Sequence, residues 1–288
     1  MVHIVGKGGA NYVLALDNDK DFLYRVCIRG RSLRENNLST VNNYHYALEV
    51  VKPHLEQFMC GMVLVEVPLS DSLLQALNGK VELWDAPAVT CLKIPNMVPA
   101  GSISYTVDHF TKVHIGDGTV VWEFKPKWLS GNGKYCRNCT LNLLRGRTSL
   151  SYCYAQLLDP TQAGPILDSV FAEIDVPQPF IEDMEAYITK PCSVLQRLRA
   201  AQEQVDVGLE PLGQSDTSAS PDQCLSMTLK DVTCFVSWRK DAPPVAVVVD
   251  LDMKPASKCT YWAALQQKLD SFRPQVHHIT APPPRPGN

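Results

Sequence analysis

The sequence predicts a mixed α/β (α+β) fold in two lobes, and three observations carry that expectation. At 288 residues the chain is long enough to bury a sizeable core in one large domain or two lobes. Its opening alternates apolar runs with glycine-rich and Asp/Asn-rich turns, the pattern of an antiparallel sheet. From about residue 164 apolar residues recur instead at helical spacing.

Taken in order, MVHIV, YVLAL and FLYRVCI read as strands joined by the glycine turn GKGGAN and the polar turn DNDKD. Ser39 and Thr40 can cap a helix through YALEVV, which Pro53 restarts or kinks. MVLVEV (62–67) and SISYTV (102–107) are expected strands, with SDSLLQALNG between them a short helix ending at Gly79. TVVWEFK (119–125) reads as a strand and RNCTLNLLR as a helix; helical spacing then spans 164–206, most clearly in SVLQRLRAAQEQVD. The run 208–223, rich in Gly, Pro, Ser and Asp, is expected to be a flexible surface loop. DVTCFVSW and VAVVVDLDM supply two more strands, a helix covers about 257–272, and the proline-rich HHITAPPPRPGN is expected to be disordered.

Composition excludes several function classes. With 45% hydrophobic and 20% charged residues the chain is an ordinary globular one, and no run of about 18 apolar residues offers a membrane span. The start MVHIVGKGGA lacks a secretory pattern, and the ten cysteines lie mostly inside apolar stretches, where Cys acts as a small hydrophobe. A reducing compartment, cytoplasm or nucleus, is therefore expected. A formal net charge of -3 argues against a general DNA binder. Yet residues 118–147 hold six cations, Lys125, Lys127, Lys134, Arg137, Arg145 and Arg147, with few carboxylates near them. An anionic ligand is the natural reason.

If the strand persists through Glu123-Phe124-Lys125-Pro126-Lys127, Lys125 and Lys127 point the same way. On a helix Arg137 and Arg145 lie roughly 80° apart and can reach one surface. Four such cations suit a ligand with several phosphates, Arg binding in bidentate fashion and Lys as a compact charge. A solvated basic face is the plainer alternative. The glycine turn GKGGAN can approach phosphates with its backbone, or can be a plain hairpin; Arg25 lies on the next strand. At the carboxyl end VAVVVDLDMKP leaves Asp250 and Asp252 at a strand mouth, where a carboxylate can hold Mg²⁺, and Asp231 opens the preceding strand. Cys136-x-x-Cys139 lacks a second pair, with Cys153 isolated and His277 and His278 in the tail, so no zinc is expected and the cysteines are assigned to helix packing.

In chain order GGAN (8–11), EFKPK (123–127), CRNC (136–139), VLQRLRAAQEQVD (194–206), KD (230–231) and DLDMKP (250–255) resemble the inositol-pentakisphosphate 2-kinase family in its compact fungal form. The resemblance implies a two-lobed, protein-kinase-like architecture, with an amino-terminal lobe of residues 1–107, a carboxy-terminal lobe of 108–273 and a tail of 274–288. It implies ATP as co-substrate and Mg²⁺ as cofactor, with inositol 1,3,4,5,6-pentakisphosphate phosphorylated on its axial 2-hydroxyl by a monomer. Gly8, Gly9, Ala10, Asn11 and Arg25 would face the nucleotide phosphates and Val107, Asp108 and His109 would form the hinge. Asp250, with Asp231, would bind Mg²⁺; Asp231 would also be the general base and Lys125 would neutralise the transferred phosphoryl group. Lys125, Lys127, Arg137, Arg145, Lys254 and Lys258 would hold substrate phosphates, with Trp262 lining the site. Two alternatives stand beside this: a non-catalytic, polyanion- or RNA-binding degenerate kinase, and a kinase for another inositol phosphate isomer.

Overall fold

A computed structural model describes residues 1–131, 134–147, 152–207, 218–273 and 275–278. Two five-stranded antiparallel sheets organise it. The first contains β1 (Val2–Lys7), β2 (Asn11–Leu16), β3 (Asp19–Cys27), β4 (Val63–Pro68) and β5 (Ala88–Pro95), in the order β1-β2-β3-β5-β4. The second contains β6 (Ile103–Thr106), β7 (Thr111–Gly116), β8 (Thr119–Phe124), β9 (Thr233–Arg239) and β10 (Val245–Val249), in the order β10-β9-β8-β7-β6.

Helix α1 (Leu33–Tyr46) begins at Ser32, whose hydroxyl accepts from the Glu35 N–H while Glu35 reaches back, a capping box. The cap expected at Ser39 and Thr40 is therefore displaced: Thr40 lies inside the helix, buried, and donates its hydroxyl to the Asn36 carbonyl. A π-helical turn, Ala47–Val51, follows, and Pro53 sits at the start of α2 (Lys52–Leu55), where its missing N–H costs little. Helix α3 (Asp71–Ala76) packs with α1 on the first sheet, around Tyr12, Leu14, Tyr24, Leu33 and Leu73.

The second sheet carries the larger core. Trp122, Phe124, Phe171, Phe180 and Trp238 interlock between it and α5 (Pro160–Phe171), α6 (Gln178–Ile188) and α7 (Val194–Gln204). Helix α4 (Arg137–Leu144) and α9 (Cys259–Ser271) pack on each other. Of the expected 208–223 loop, residues 208–217 lie outside the described ones, but Pro221 already opens α8 (Pro221–Leu229), capped by Ser220. The Ser-Pro-Asp-Gln signature of a capping box with proline at the first turn explains the shift. The expected tail likewise splits. Residues 275–278 are placed against α4, the Val276 carbonyl accepting from the Cys136 N–H at 2.9 Å, whereas 279–288 lie outside the described residues.

Candidate active site

A cleft of about 1070 Å³ runs between the two sheets and is closed on one side by α4 and α9. Twelve Lys or Arg residues line it against five Asp or Glu, an excess of seven positive charges in a chain whose formal sum is -3. The local cation surplus of residues 118–147 is thus one wall of a basic cavity. Of the residues predicted from sequence, all line the cleft except Val107, whose side chain packs against the larger core.

Of the residues expected at the nucleotide, Gly8 to Asn11 and Arg25 come from the first sheet. Gly8 to Ala10 form the turn between β1 and β2, with the Gly8 N–H donating to the Asn11 carbonyl at 2.9 Å. Neither Gly8 nor Gly9 has positive φ, and a Cβ at Gly9 would meet no protein atom within 4 Å. Gly9 thus leaves open space beside the cleft, whereas a Cβ at Gly8 would crowd the Asn11 carbonyl at 3.2 Å. Arg25 on β3 reaches across to form a bidentate pair with Asp252, its Nη2 lying 2.6 Å from one carboxylate oxygen, and Asn11 donates to the same carboxylate at 2.8 Å. Asp252 thereby ties the two sheets together, through partners more than 220 positions away in the chain.

Asp250 and Asp231 stand at neighbouring strand ends because Val249 pairs with Thr233 in the β9–β10 ladder. Lys125 Nζ lies 2.8 Å from Asp250, which also accepts from the Thr233 hydroxyl and faces Arg25 at 3.4 Å. Burial disfavours the ionised form of Asp250, but Lys125 and Arg25 outweigh it and hold the carboxyl well below its usual value. Asp231 is gripped on one oxygen by Lys127 and on the other by Lys254. Burial again opposes its charge, and Lys254 and Lys127 again prevail, so its carboxyl is also held low. Lys127 pays in part: burial lowers its ammonium more than Asp231 restores it.

The expectation that one strand carries Lys125 and Lys127 on one face needs correction. Strand β8 ends at Phe124, and Lys127 adopts φ 60°, in the left-handed region, so the two lysines meet different aspartates. Asp250 is left-handed too, at φ 64°. Non-glycine residues in that region are uncommon and cluster at functional sites. Lys254 precedes the 3₁₀ turn Ala256–Lys258, and Lys258 is the residue before α9.

On the far wall Arg137 is nine-tenths buried. Its guanidinium stacks 3.9 Å from the Trp128 ring centre and donates to Gln266 at 3.0 Å, and burial lowers it to about 10. Lys230 sits 4.0 Å from the same ring, so Trp128 serves two cations. Arg145 and Lys258 are exposed and have no carboxylate partner among the described residues. Trp262 is buried against Ala219, Cys224 and Cys259 and presents a wall. At the β6–β7 turn Asp108 accepts from the Phe110 N–H and the Thr111 hydroxyl, and Thr111 meets the buried hydroxyls of Tyr152 and Tyr154. His109 caps the cleft beside Phe110, its imidazole lowered by burial and by Arg147.

Beside this wall the assignment of Cys136 and Cys139 to helix packing is overtaken. Cys153 is not isolated: its sulfur is 3.6 Å from that of Cys136, and the donor atoms of Cys136, Cys139, Cys153 and His278 lie within 4.8 Å of one another. Hydrogen bonds from Cys139 and Cys153 hold the Cys136 thiol far below its ordinary value. The ground for expecting no zinc, a missing second pair of ligands, is therefore gone.

A sequence profile described as Inositol-pentakisphosphate 2-kinase matches residues 5–163 and 172–268. Curated relatives carry the same description. The protein of Eremothecium gossypii is 73% identical over 96% of this chain and 100% of its own length. That of Candida glabrata is 36% identical over 96% and 100%, and that of Saccharomyces cerevisiae 32% identical over 97% and 99%.

Proposed function

Because the chain belongs to the inositol-pentakisphosphate 2-kinase family, we infer that its cleft transfers the γ-phosphoryl group of ATP to the 2-hydroxyl of inositol 1,3,4,5,6-pentakisphosphate. The observation that carries this reading is Asp231, ionised and clamped between Lys127 and Lys254, beside the Lys125–Asp250 pair. A pentakisphosphate brings its own negative charge and competes for those lysines. As they turn to substrate phosphates, Asp231 is released to accept the proton of the attacking hydroxyl, with its basicity raised by the anions nearby. Lys125, left charged because Asp250 outweighs the cost of burial, is placed to neutralise the transferred group.

Asp250 fits Mg²⁺: it is ionised, offers hard oxygen donors and lies at the strand mouth facing the glycine turn. Asp250 would hold the ion, which when bound would supply positive charge against the charge developing on the transferred group. Asp231, with both oxygens held by lysines, is better suited to the base than to a shared metal site. Gly8 to Asn11, Arg25 and the Asp108–His109 turn would frame the nucleotide, with residues 1–107 and 108–273 acting as the two lobes around it.

Incubation with ATP, Mg²⁺ and the pentakisphosphate is expected to yield inositol hexakisphosphate; binding without any product would sink the reading in favour of a non-catalytic scaffold. Arg145→Ala and Lys258→Ala should each weaken polyphosphate binding roughly tenfold, the worth of one charge-assisted contact of about 1.4 kcal/mol. Titration calorimetry at two salt concentrations would check it, the loss shrinking as salt rises. Cys136, Cys139, Cys153 and His278 have the donor types of a structural zinc site and would tie α4 to residues 275–278. Metal analysis should find one zinc per chain, and a chelator should lower Tm by several degrees. A zinc-free protein with unchanged Tm would remove that assignment.

A further inference from the structure

Residues 125–131, between β8 and α4, form no helix or strand, yet Pro126 and Leu129 are buried and only Gly131 is exposed, so the backbone N–H and C=O groups need partners from elsewhere. Gln202 on α7 supplies them. It is fully buried, and its four hydrogen bonds go to backbone on two separate segments. Its carbonyl oxygen accepts from Leu129 N–H at 2.7 Å and Ser130 N–H at 3.4 Å. Its amide nitrogen donates to the Lys127 carbonyl at 2.8 Å and the Leu229 carbonyl at 3.0 Å. One side chain thus grips the residue that carries the left-handed lysine and also the end of α8, two residues before Asp231.

We propose that Gln202 is the positioning residue of this active site: it sets the loop bearing Lys127 against the turn bearing Asp231, so that base and substrate-binding cation keep one separation. The proposal rests on the phosphoryl-transfer reading above. A side chain meant only to fill the core would not need two donated and two accepted bonds, and apolar residues fill the neighbouring α7 positions Leu195 and Leu198. Asn138 on α4 holds the same loop from its other side, donating to the Trp128 carbonyl at 2.8 Å and the Pro126 carbonyl at 3.2 Å while accepting from the Trp128 N–H at 3.2 Å. The left-handed turn at Lys127 is therefore bracketed, and of these two side chains it is Gln202 that also bonds the backbone on the Asp231 side.

The test is Gln202→Met, of similar volume and without amide groups, beside Leu198→Ala as a control that loosens the same helix. Kinetics are normalised to folded protein. Gln202→Met should lower kcat roughly 10–100-fold, the scale of a small misplacement of reacting groups, with ATP affinity within about twofold of wild type because none of its four bonds goes to a residue assigned to the nucleotide. It should also move the acid limb of the kcat/KM profile to higher pH, since Lys127 no longer sits on Asp231. Leu198→Ala should lose Tm without either effect. If Gln202→Met and Leu198→Ala behave alike, Gln202 is only structural and the proposal fails. Should Gln202→Met not fold, hydrogen exchange on the wild type decides: the Leu129 amide should be among the slowest to exchange, and rapid exchange there would overturn the clamp. Wild-type turnover reports separately on the functional reading, so the two failures are told apart.

Discussion

Asp231→Asn is expected to lower kcat roughly 10²–10⁴-fold, the usual contribution of a positioned general base, while polyphosphate binding stays level or tightens. The binding half follows from the ion pairs. Lys127 and Lys254 both spend their charge on Asp231 in the free protein, so removing that carboxylate frees two cations for phosphates. A merely structural role would do the opposite, since two partly buried lysines without a counter-charge would loosen the pocket. The pH profile carries the same logic with its sign fixed. Lys254 and Lys127 hold the Asp231 carboxyl below its ordinary value against the cost of burial, so the acid limb of kcat/KM in wild type should lie low. Lys254→Met removes one of those cations, and the limb should move upward. Full activity of Asp231→Asn, or a limb that stays in place, would remove Asp231 from the role of base.

Much of this site was legible because its parts sit on short motifs with a local physical meaning. Strand ends are readable from apolar runs, so Asp231 and Asp250 could be placed at strand mouths, and the β9–β10 ladder puts them side by side. The cations of residues 118–147 were visible as charge density. What could not be read is the pairing across the cleft. The Arg25–Asp252 pair spans 227 positions and no periodicity announces it. Lys127 was misdirected for a related reason: the strand pattern runs through Lys125, but tertiary bonds from Gln202 and Asn138 hold Lys127 in a backbone region that strand periodicity excludes.

Two interior strands, β5 and β7, also escaped the reading. TKVHIG alternates poorly because His114 is buried, satisfied by Ser104 at 2.7 Å and Glu123 at 3.0 Å. The signal that could have found β7 was Asp117-Gly118, both at positive φ, the two-residue hairpin turn that joins it to β8. The cysteines were hidden for a different reason. Spacing along the chain cannot show that Cys153 returns to the start of α4, nor that the backbone at Val276 pairs there and brings His278 with it.

Lys125→Met is expected to separate chemistry from stability more sharply than any other single change in the cleft. Its partner Asp250 keeps Arg25 and Thr233, and the Lys125 and Asp250 side chains are 37% and 34% exposed, so solvent screens the lost pair. A stability loss of about 1 kcal/mol or less follows. Turnover should fall roughly 10²–10³-fold, as when one preorganised donor to a developing negative charge is removed. Lys125→Arg should recover little, because a planar guanidinium cannot take the place of a compact ammonium facing both Asp250 and the transferred group. Measuring kcat beside the denaturant midpoint decides it: if the two losses are of equal size in free energy, Lys125 holds the fold and not the transition state.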